Sequence, residues 1–459
     1  MPSDLIRDLE PGATRWLAGH ALACKWSGLP EDARRIALHC IVDWYAVTLA
    51  AIGDPALAPL LADAAEQGGP GQASAAGVGA RLGMYPAALV NGTTAHLLDY
   101  DDVNLAIVGH PTAVVYSALL PLAETLGADG PALLSAFVAG YETACRVGRW
   151  LGDAHYARGY HATSTVGVVG AAAACARLMG LDQARTACAL GLAATQAAGL
   201  KSMFGSQGKP LHAGLAARNG LMAARLAARG YEGGGLLEAA QGYARVLSPA
   251  PDDAALRADP PGGLYLYGRL FKYHASCYGT HAAIECARAL RESGVEPDRV
   301  ESVQVDVHPG SRDMCDIPAP KTAAQARFSL RLNVACGLAG IDTSAISAYT
   351  DALLRDERLA ALRDRIEVRD TDAMRTMESE VRVVLRGGAT RRARIDAGVP
   401  QPDIGIEAGR LRDKFLALAG PVLGRAEAER LLDDIHGLPA AGDPRALAQA
   451  LCAPLRRAG

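Results

Sequence analysis

Residues Pro86–Leu126 read PAALVNGTTAHLLDYDDVNLAIVGHPTAVVYSALLPLAETL. The segment opens on an amphipathic pattern from Pro86 to Leu98 and closes on an apolar run from Ala113 to Leu126. Both read as helices, because apolar residues recur at spacings of three and four. Between them lie His96, Asp99, Asp101, Asp102 and His110. Carboxylates held close together cost stability when buried without partners. Such a cluster is therefore either solvated or chemically employed. Two helices around a polar junction set the expectation for the chain, a mainly α protein.

Working outward, residues 13–66 show the same helical spacing, through Trp16, Leu17, Ala21, Ala33, Ile36, Cys40, Trp44 and Leu49. Further helices are expected over Pro131–Leu151, from a Ser164 cap to Met179, and from an Asp182 cap to about Ala198. Gly199–Leu211 reads as a polar loop holding Lys201 and Lys209, followed by a helix from about Ala213 to Ala228. Near residue 265 the pattern changes. Val303, Val305 and Val307 alternate with polar residues, as do Ile366 with Val368, and Val381, Val383 and Leu385, a strand signal. Arg386-Gly387-Gly388 before Ala389–Ile395 marks a hairpin. Helices are expected between the strands at Thr280–Glu292, Ala326–Leu338 and Ser344–Asp351. After Pro400 helical patterns return. The expected architecture is a large all-helical domain, 1–265 and 398–459, with a smaller α+β domain of mainly antiparallel sheet inserted at 266–397.

The chain of 459 residues has a net charge of −3, with half of its residues apolar and 21% charged. This balance, without a basic block, argues against nucleic acid or a membrane surface as partner. No run is long and apolar enough for a membrane span, and the opening MPSDLIRDLEPG has no apolar leader pattern. Ten Cys without a CxxC pair read as reduced residues in a cytoplasmic setting.

Several segments carry titratable groups. In the acidic junction, carboxylates at Asp99, Asp101 and Asp102 suit a divalent metal, or an acid/base site in which an Asp orients a His. A solvated helix end is the ordinary alternative. His96 and Asp99, three residues apart, can share a helix face. His110 stands just beyond the acids, and imidazole is the side chain whose ordinary range lies nearest neutral pH. Tyr160 and His161 precede a Gly/Ala-rich helix whose N-terminus suits a carboxylate. Lys209 and His212 follow in the polar loop, where GxxxxGK[ST] is not satisfied, so an anionic small molecule fits better than a nucleotide. Lys272 and His274 lie at the domain change, a favoured place for a cleft. Cys277 lacks an evident base. There is no GxSxG, HExxH or paired CxxC.

Taken in order, NGTTAHLLDYDD with the following GHP, Asp43-Trp44, Gly140-Tyr141-Glu142, GYHATSTVG, GKPLHAG, the Lys272–His281 segment, ARFSL and Asp413-Lys414-Phe415 resemble the MmgE/PrpD family over nearly the whole chain. The family includes 2-methylcitrate dehydratase, cis-aconitate decarboxylase and iminodisuccinate epimerase. The resemblance implies a helical domain with a lid-like α+β domain, a homodimer, and chemistry without a cofactor or metal on a small di- or tricarboxylate at an interdomain cleft. Its active-site positions match Asp99, His110, His161, Lys209 and Lys272, with His212, Tyr160 and His274 as substrate-binding neighbours. Lys209 and Lys272 would hold carboxylates, a His would move the proton, and Asp99 would orient it. Two positions depart from the dehydratase and decarboxylase pattern. Val103 stands where many members have Thr, and Leu332 where they have Tyr. Loss of these hydroxyls directs the reading toward epimerisation or another non-dehydratase reaction. A metal enzyme using Asp99, Asp101 and Asp102, and a non-catalytic carboxylate binder, are the competing readings.

Overall fold

The computed structural model describes residues 12–233 and 236–452. The expectation for the N-terminal leader region falls largely on residues outside these. The chain is mainly helical and divides into two compact units, Met1–Arg269 with Asp403–Gly459, and Leu270–Pro402.

The principal helices of the first unit are α1 (Glu31–Ala51), α2 (Met84–His96), α3 (Pro111–Leu126), α4 (Gly130–Leu151), α5 (Ala162–Leu178) and α6 (Gly208–Ala228). Most have capping or breaking residues where physical chemistry expects them. Pro111 occupies the first position of α3, where its missing N–H costs nothing. The Asp129 carboxylate accepts from Ala132 N to cap α4. α5 is buried along nearly its whole length and packs against α3, α4 and α6. Small residues make that burial possible. A Cβ on Gly92 of α2 would stand 2.8 Å from the Gly214 Cα of α6, so these helices cross with backbones nearly touching. Trp44 of α1 packs edge-on against Tyr116 of α3 at 4.9 Å and donates to Ser117 Oγ at 3.0 Å.

Two local expectations change in this unit. Ser164 does not cap α5. His161 takes that position, and Ser164 lies inside the helix, donating to the carbonyls of Ala198 and His212. α6 starts at Gly208, so Lys209 and His212 sit on its first turns rather than in a loop. Pro210 falls in the first turn of α6, where proline is tolerated.

The second unit holds a four-stranded sheet of order β2-β1-β3-β4, made of β1 (Val300–Val307), β2 (Ile366–Asp370), β3 (Glu378–Leu385) and β4 (Thr390–Asp396). β1 pairs parallel with β2 and antiparallel with β3, with Val303 opposite Ile366 and Val305 opposite Val381. β3 and β4 form the expected hairpin. Val303, Val305 and Val307 are buried on one face, and the helices α7 (His281–Glu292) and α8 (Leu330–Ala339) pack on the sheet. The single helix expected over Ala326–Leu338 is broken, because the Ser329 hydroxyl accepts from Leu332 N and caps α8 afresh. Ser344–Asp351 forms only a 3₁₀ turn at Ile346–Ala348 before the short helix Asp351–Leu354.

The last principal helix, α9 (Ile404–Leu423), belongs to the first unit and packs along α1. No single helix among the described residues is long and apolar enough to cross a membrane, and these residues hold no disulfide.

Candidate active site

The loop joining α2 to α3 organises the first unit's titratable groups. α2 stops at His96, and the chain turns at Asp99 with φ of 50° and at Val108 with φ of 49°. Left-handed backbone is tolerable for Asp but strained for a β-branched residue such as Val. Gly109 then passes so close to α5 that a Cβ there would lie 2.8 Å from Thr163 Oγ1. The same Thr163 hydroxyl accepts from His110 N at 3.2 Å. His110 is thereby fixed at the mouth of α3.

Asp101 lies at the centre. It is 1% exposed, and its carboxylate sits 3.0 Å from His96 Nδ1 and 3.2 Å from His110 Nδ1. Burial alone would raise this carboxyl. The charge and hydrogen bonds of the two imidazoles outweigh burial and hold it well below the usual carboxylate range. On the other side of the ring, His110 Nε2 is 3.5 Å from Asp99 Oδ1, and that oxygen accepts from Lys209 Nζ at 2.8 Å. Asp99 is a third exposed and Lys209 less so, making this edge the open side of the cluster.

His161 completes it. Its ring stacks on His96 at 5.6 Å, and its Nδ1 lies 3.1 Å from His212 Nδ1, so one imidazole donates to the other. Burial, then the neighbouring His96 and Lys209, push His161 well down, and His96 is pushed down to about 4 by burial with Asp101 opposing. Both are neutral near pH 7. Phe204 packs edge-on against His161 at 5.0 Å, with Lys209 Nζ 5.0 Å from the same phenyl ring.

Asp99, His110, His161, Lys209 and His212 are thus brought together. Tyr160 is not. Its ring stacks on His155 at 4.6 Å, while its backbone bridges to Leu200. Lys272 and His274 belong to the second unit. Lys272 Nζ lies 5.9 Å from the centroid of the Tyr278 ring. The two ring nitrogens of His274 hydrogen-bond Thr343 Oγ1 and Glu285 Oε1, at 2.7 and 3.1 Å. The Cys277 thiol donates to the Met314 sulfur at 3.4 Å. Leu332 is buried in α8, and the neighbouring Asn333 accepts from the Tyr349 hydroxyl at 2.6 Å.

The family resemblance gave the orienting role to Asp99. The geometry assigns the bridge to Asp101 and adds His96. The clue in sequence was that α2 need not continue past His96, which removes the helical pairing of His96 with Asp99. Asp102 instead accepts from Thr112 Oγ1 at 2.9 Å. The set able to hold a divalent ion is accordingly His96, Asp99, Asp101 and His110, whose donor atoms lie within 4.8 Å of one another. Asp102 is outside it, and Lys209 already places a positive charge on Asp99.

The MmgE/PrpD N-terminal domain model matches residues 15–255, and the MmgE/PrpD C-terminal domain model matches residues 274–436. The chain is 27% identical over 395 residues to a cis-aconitate decarboxylase of Mus musculus, covering 82% of this chain and 80% of the relative. It is 25% identical over 426 residues to a cis-aconitate decarboxylase of Aspergillus terreus, covering 84% and 85%. It is 31% identical over 311 residues to a cis-aconitate decarboxylase-like protein of Aspergillus oryzae, covering 63% of each. With both family models matched along most of its length, the chain belongs to the MmgE/PrpD family.

Proposed function

We propose that this chain is a lyase or isomerase that moves a proton at the carbon next to a carboxylate of a small di- or tricarboxylate, using its own side chains without a cofactor. The observation that carries the reading is the buried Asp101 carboxylate set against His110 Nδ1. A carboxylate there selects the tautomer with a proton on Nδ1 and leaves the lone pair on Nε2. Nε2 faces the half-open edge beside Asp99 and Lys209. In the proposed step, Nε2 takes the proton of the C–H bond, and the electron pair passes into the adjacent carboxylate. Lys209 stabilises the charge that develops there. The imidazolium is balanced by Asp101; in an elimination the electron pair closes a double bond as hydroxide leaves the neighbouring carbon and takes the imidazolium's proton as water, whereas in an epimerisation a second donor protonates the opposite face and the His110 proton is released to solvent. His161 and His212, neutral and polar, line the same pocket as substrate contacts. Lys272 is proposed as a further carboxylate anchor, on the resemblance alone.

The names of the relatives support a lyase acting on a cis-aconitate-like acid. Hydrocarbon side chains at Val103 and Leu332, where hydroxyls occur in related patterns, favour epimerisation or a different acid as the second reading. The test is a panel of cis-aconitate, 2-methylcitrate and iminodisuccinate, followed by NMR in deuterated buffer. Turnover or α-proton exchange is expected with at least one, together with a raised melting temperature. Binding without exchange by any of them would favour a non-catalytic carboxylate binder. Activity is expected to survive exhaustive chelation. Loss on chelation and recovery with a divalent ion would move the reading to the His96, Asp99, Asp101 and His110 set as metal ligands.

A further inference from the structure

Three motifs far apart in sequence meet beside the loop that carries Asp101. Lys414 of α9 is 3% exposed, and its ammonium donates to Asp43 Oδ1 of α1 at 2.6 Å and to the Tyr100 carbonyl at 2.8 Å. It also sits 3.9 Å from the centroid of the Tyr100 ring. The backbone N–H of Asp102 lies near Asp43 and opposes the rise in its pKa, and the Asp102 carboxylate accepts from Thr112 on α3. The residue on either side of Asp101 is therefore tied down, Tyr100 by Lys414 and Asp102 by Thr112. Asp43 and Asp102 are fully buried, as is Tyr100. A buried ammonium between carboxyl groups is costly to assemble and contributes little net stability, so a specific position in the backbone is the better reason for it.

We propose that Lys414 and Asp43 are positioning residues that hold the loop beside Asp101, so that the Asp101 carboxylate stays in register with His96 and His110. The inference rests on the reading of His110 as the proton carrier. Burial pushes Asp43 up to about 6 and raises Asp102 as well, which is consistent with one ammonium compensating a shared negative charge. The other charged or titratable groups facing this cluster are Asp101 in the loop, Cys40 on α1 and Tyr141 on α4.

The test uses the full chain labelled with ¹⁵N-histidine, with the His110 signals identified by their loss in His110→Asn. The wild-type protein is expected to show His110 as a single Nδ1–H tautomer. In folded Lys414→Met, exchange between the two tautomers is expected. The same variant should lose about 100-fold in kcat, the scale expected from misplacement of a reacting group, with KM little changed. Lys414→Arg should recover part of both. If Lys414→Met does not fold, Asp43→Asn decides, since it keeps the volume and removes the charge that orients Lys414; the same tautomer exchange is expected there. A folded variant with His110 still in one Nδ1–H tautomer and with wild-type kcat would overturn the proposal. The tautomer needs no substrate, so this outcome is separate from failure of the functional reading, which would appear as full activity in His110→Asn.

Discussion

Replacing Asp101 by Asn keeps the shape of the side chain and removes the acceptor that His96 Nδ1 and His110 Nδ1 share. The expected result is a loss of at least about 100-fold in kcat/KM, because both the tautomer of the proton carrier and the balancing charge go with it. Asp99→Asn, measured alongside, should cost less, since Asp99 touches His110 only at 3.5 Å and from the open edge. Equal losses would return the orienting role to Asp99. Lys209→Met removes the ammonium on the open edge and is expected to raise KM for polycarboxylates as well as lowering kcat, as steady-state kinetics would show. These comparisons mark how far the site was legible. Which residues are chemical could be read from their types and company. Which Asp faces which imidazole could not, because that depends on α2 ending at His96 and the backbone turning at Asp99. His274 is a promising type whose nitrogens meet Thr343 and Glu285, a pairing that residue type alone does not reveal.

At the scale of elements, periodicity identified most principal helices and three of the four main strands, because each buries one apolar face or stripe, while β4, none of whose residues is buried, was marked by the Gly387-Gly388 hairpin signal. It failed where a single hydroxyl or a first-turn proline set a boundary, at Ser329 and Pro210. Nor could it show which helices cross closely. A Cβ on Gly214 would fall 2.2 Å from the Leu89 carbonyl oxygen of α2 and from Thr93 Oγ1. Gly214→Ala is therefore expected to destabilise the protein by about 2 kcal/mol or more, despite the better helix propensity of Ala. Urea unfolding checks this, and a neutral or stabilising effect would mean that the α2–α6 crossing relaxes freely. The crossing carries Lys209 and His212 on one helix and His96 on the other, so the same variant should also lose activity.

For the whole molecule, stability against pH follows from buried imidazoles. His20 and His96 are each pushed down to about 4, first by burial. An unfolded chain protonates such groups near pH 6.5. Below about 6.5 the unfolded state binds protons that the folded state refuses, so their contribution is complete above that pH and is lost as pH falls toward 4. Asp43, pushed up to about 6, acts with the opposite sign. A difference measurement isolates one group. His20 Nε2 accepts from Arg146 Nε at 3.1 Å, an acceptor that Gln can supply. His20→Gln should therefore narrow the gap in urea midpoint between neutral and mildly acidic buffer, and an unchanged gap would contradict the assignment. Catalysis by the full chain offers the most direct test of the central claim, that His110 carries a proton to and from carbon beside a carboxylate. The measurement is the rate of α-proton exchange into deuterated buffer, for the acid the enzyme turns over, in wild type and His110→Asn. The account predicts a fall of about 100-fold or more in the variant with the fold intact; exchange at the wild-type rate would contradict it.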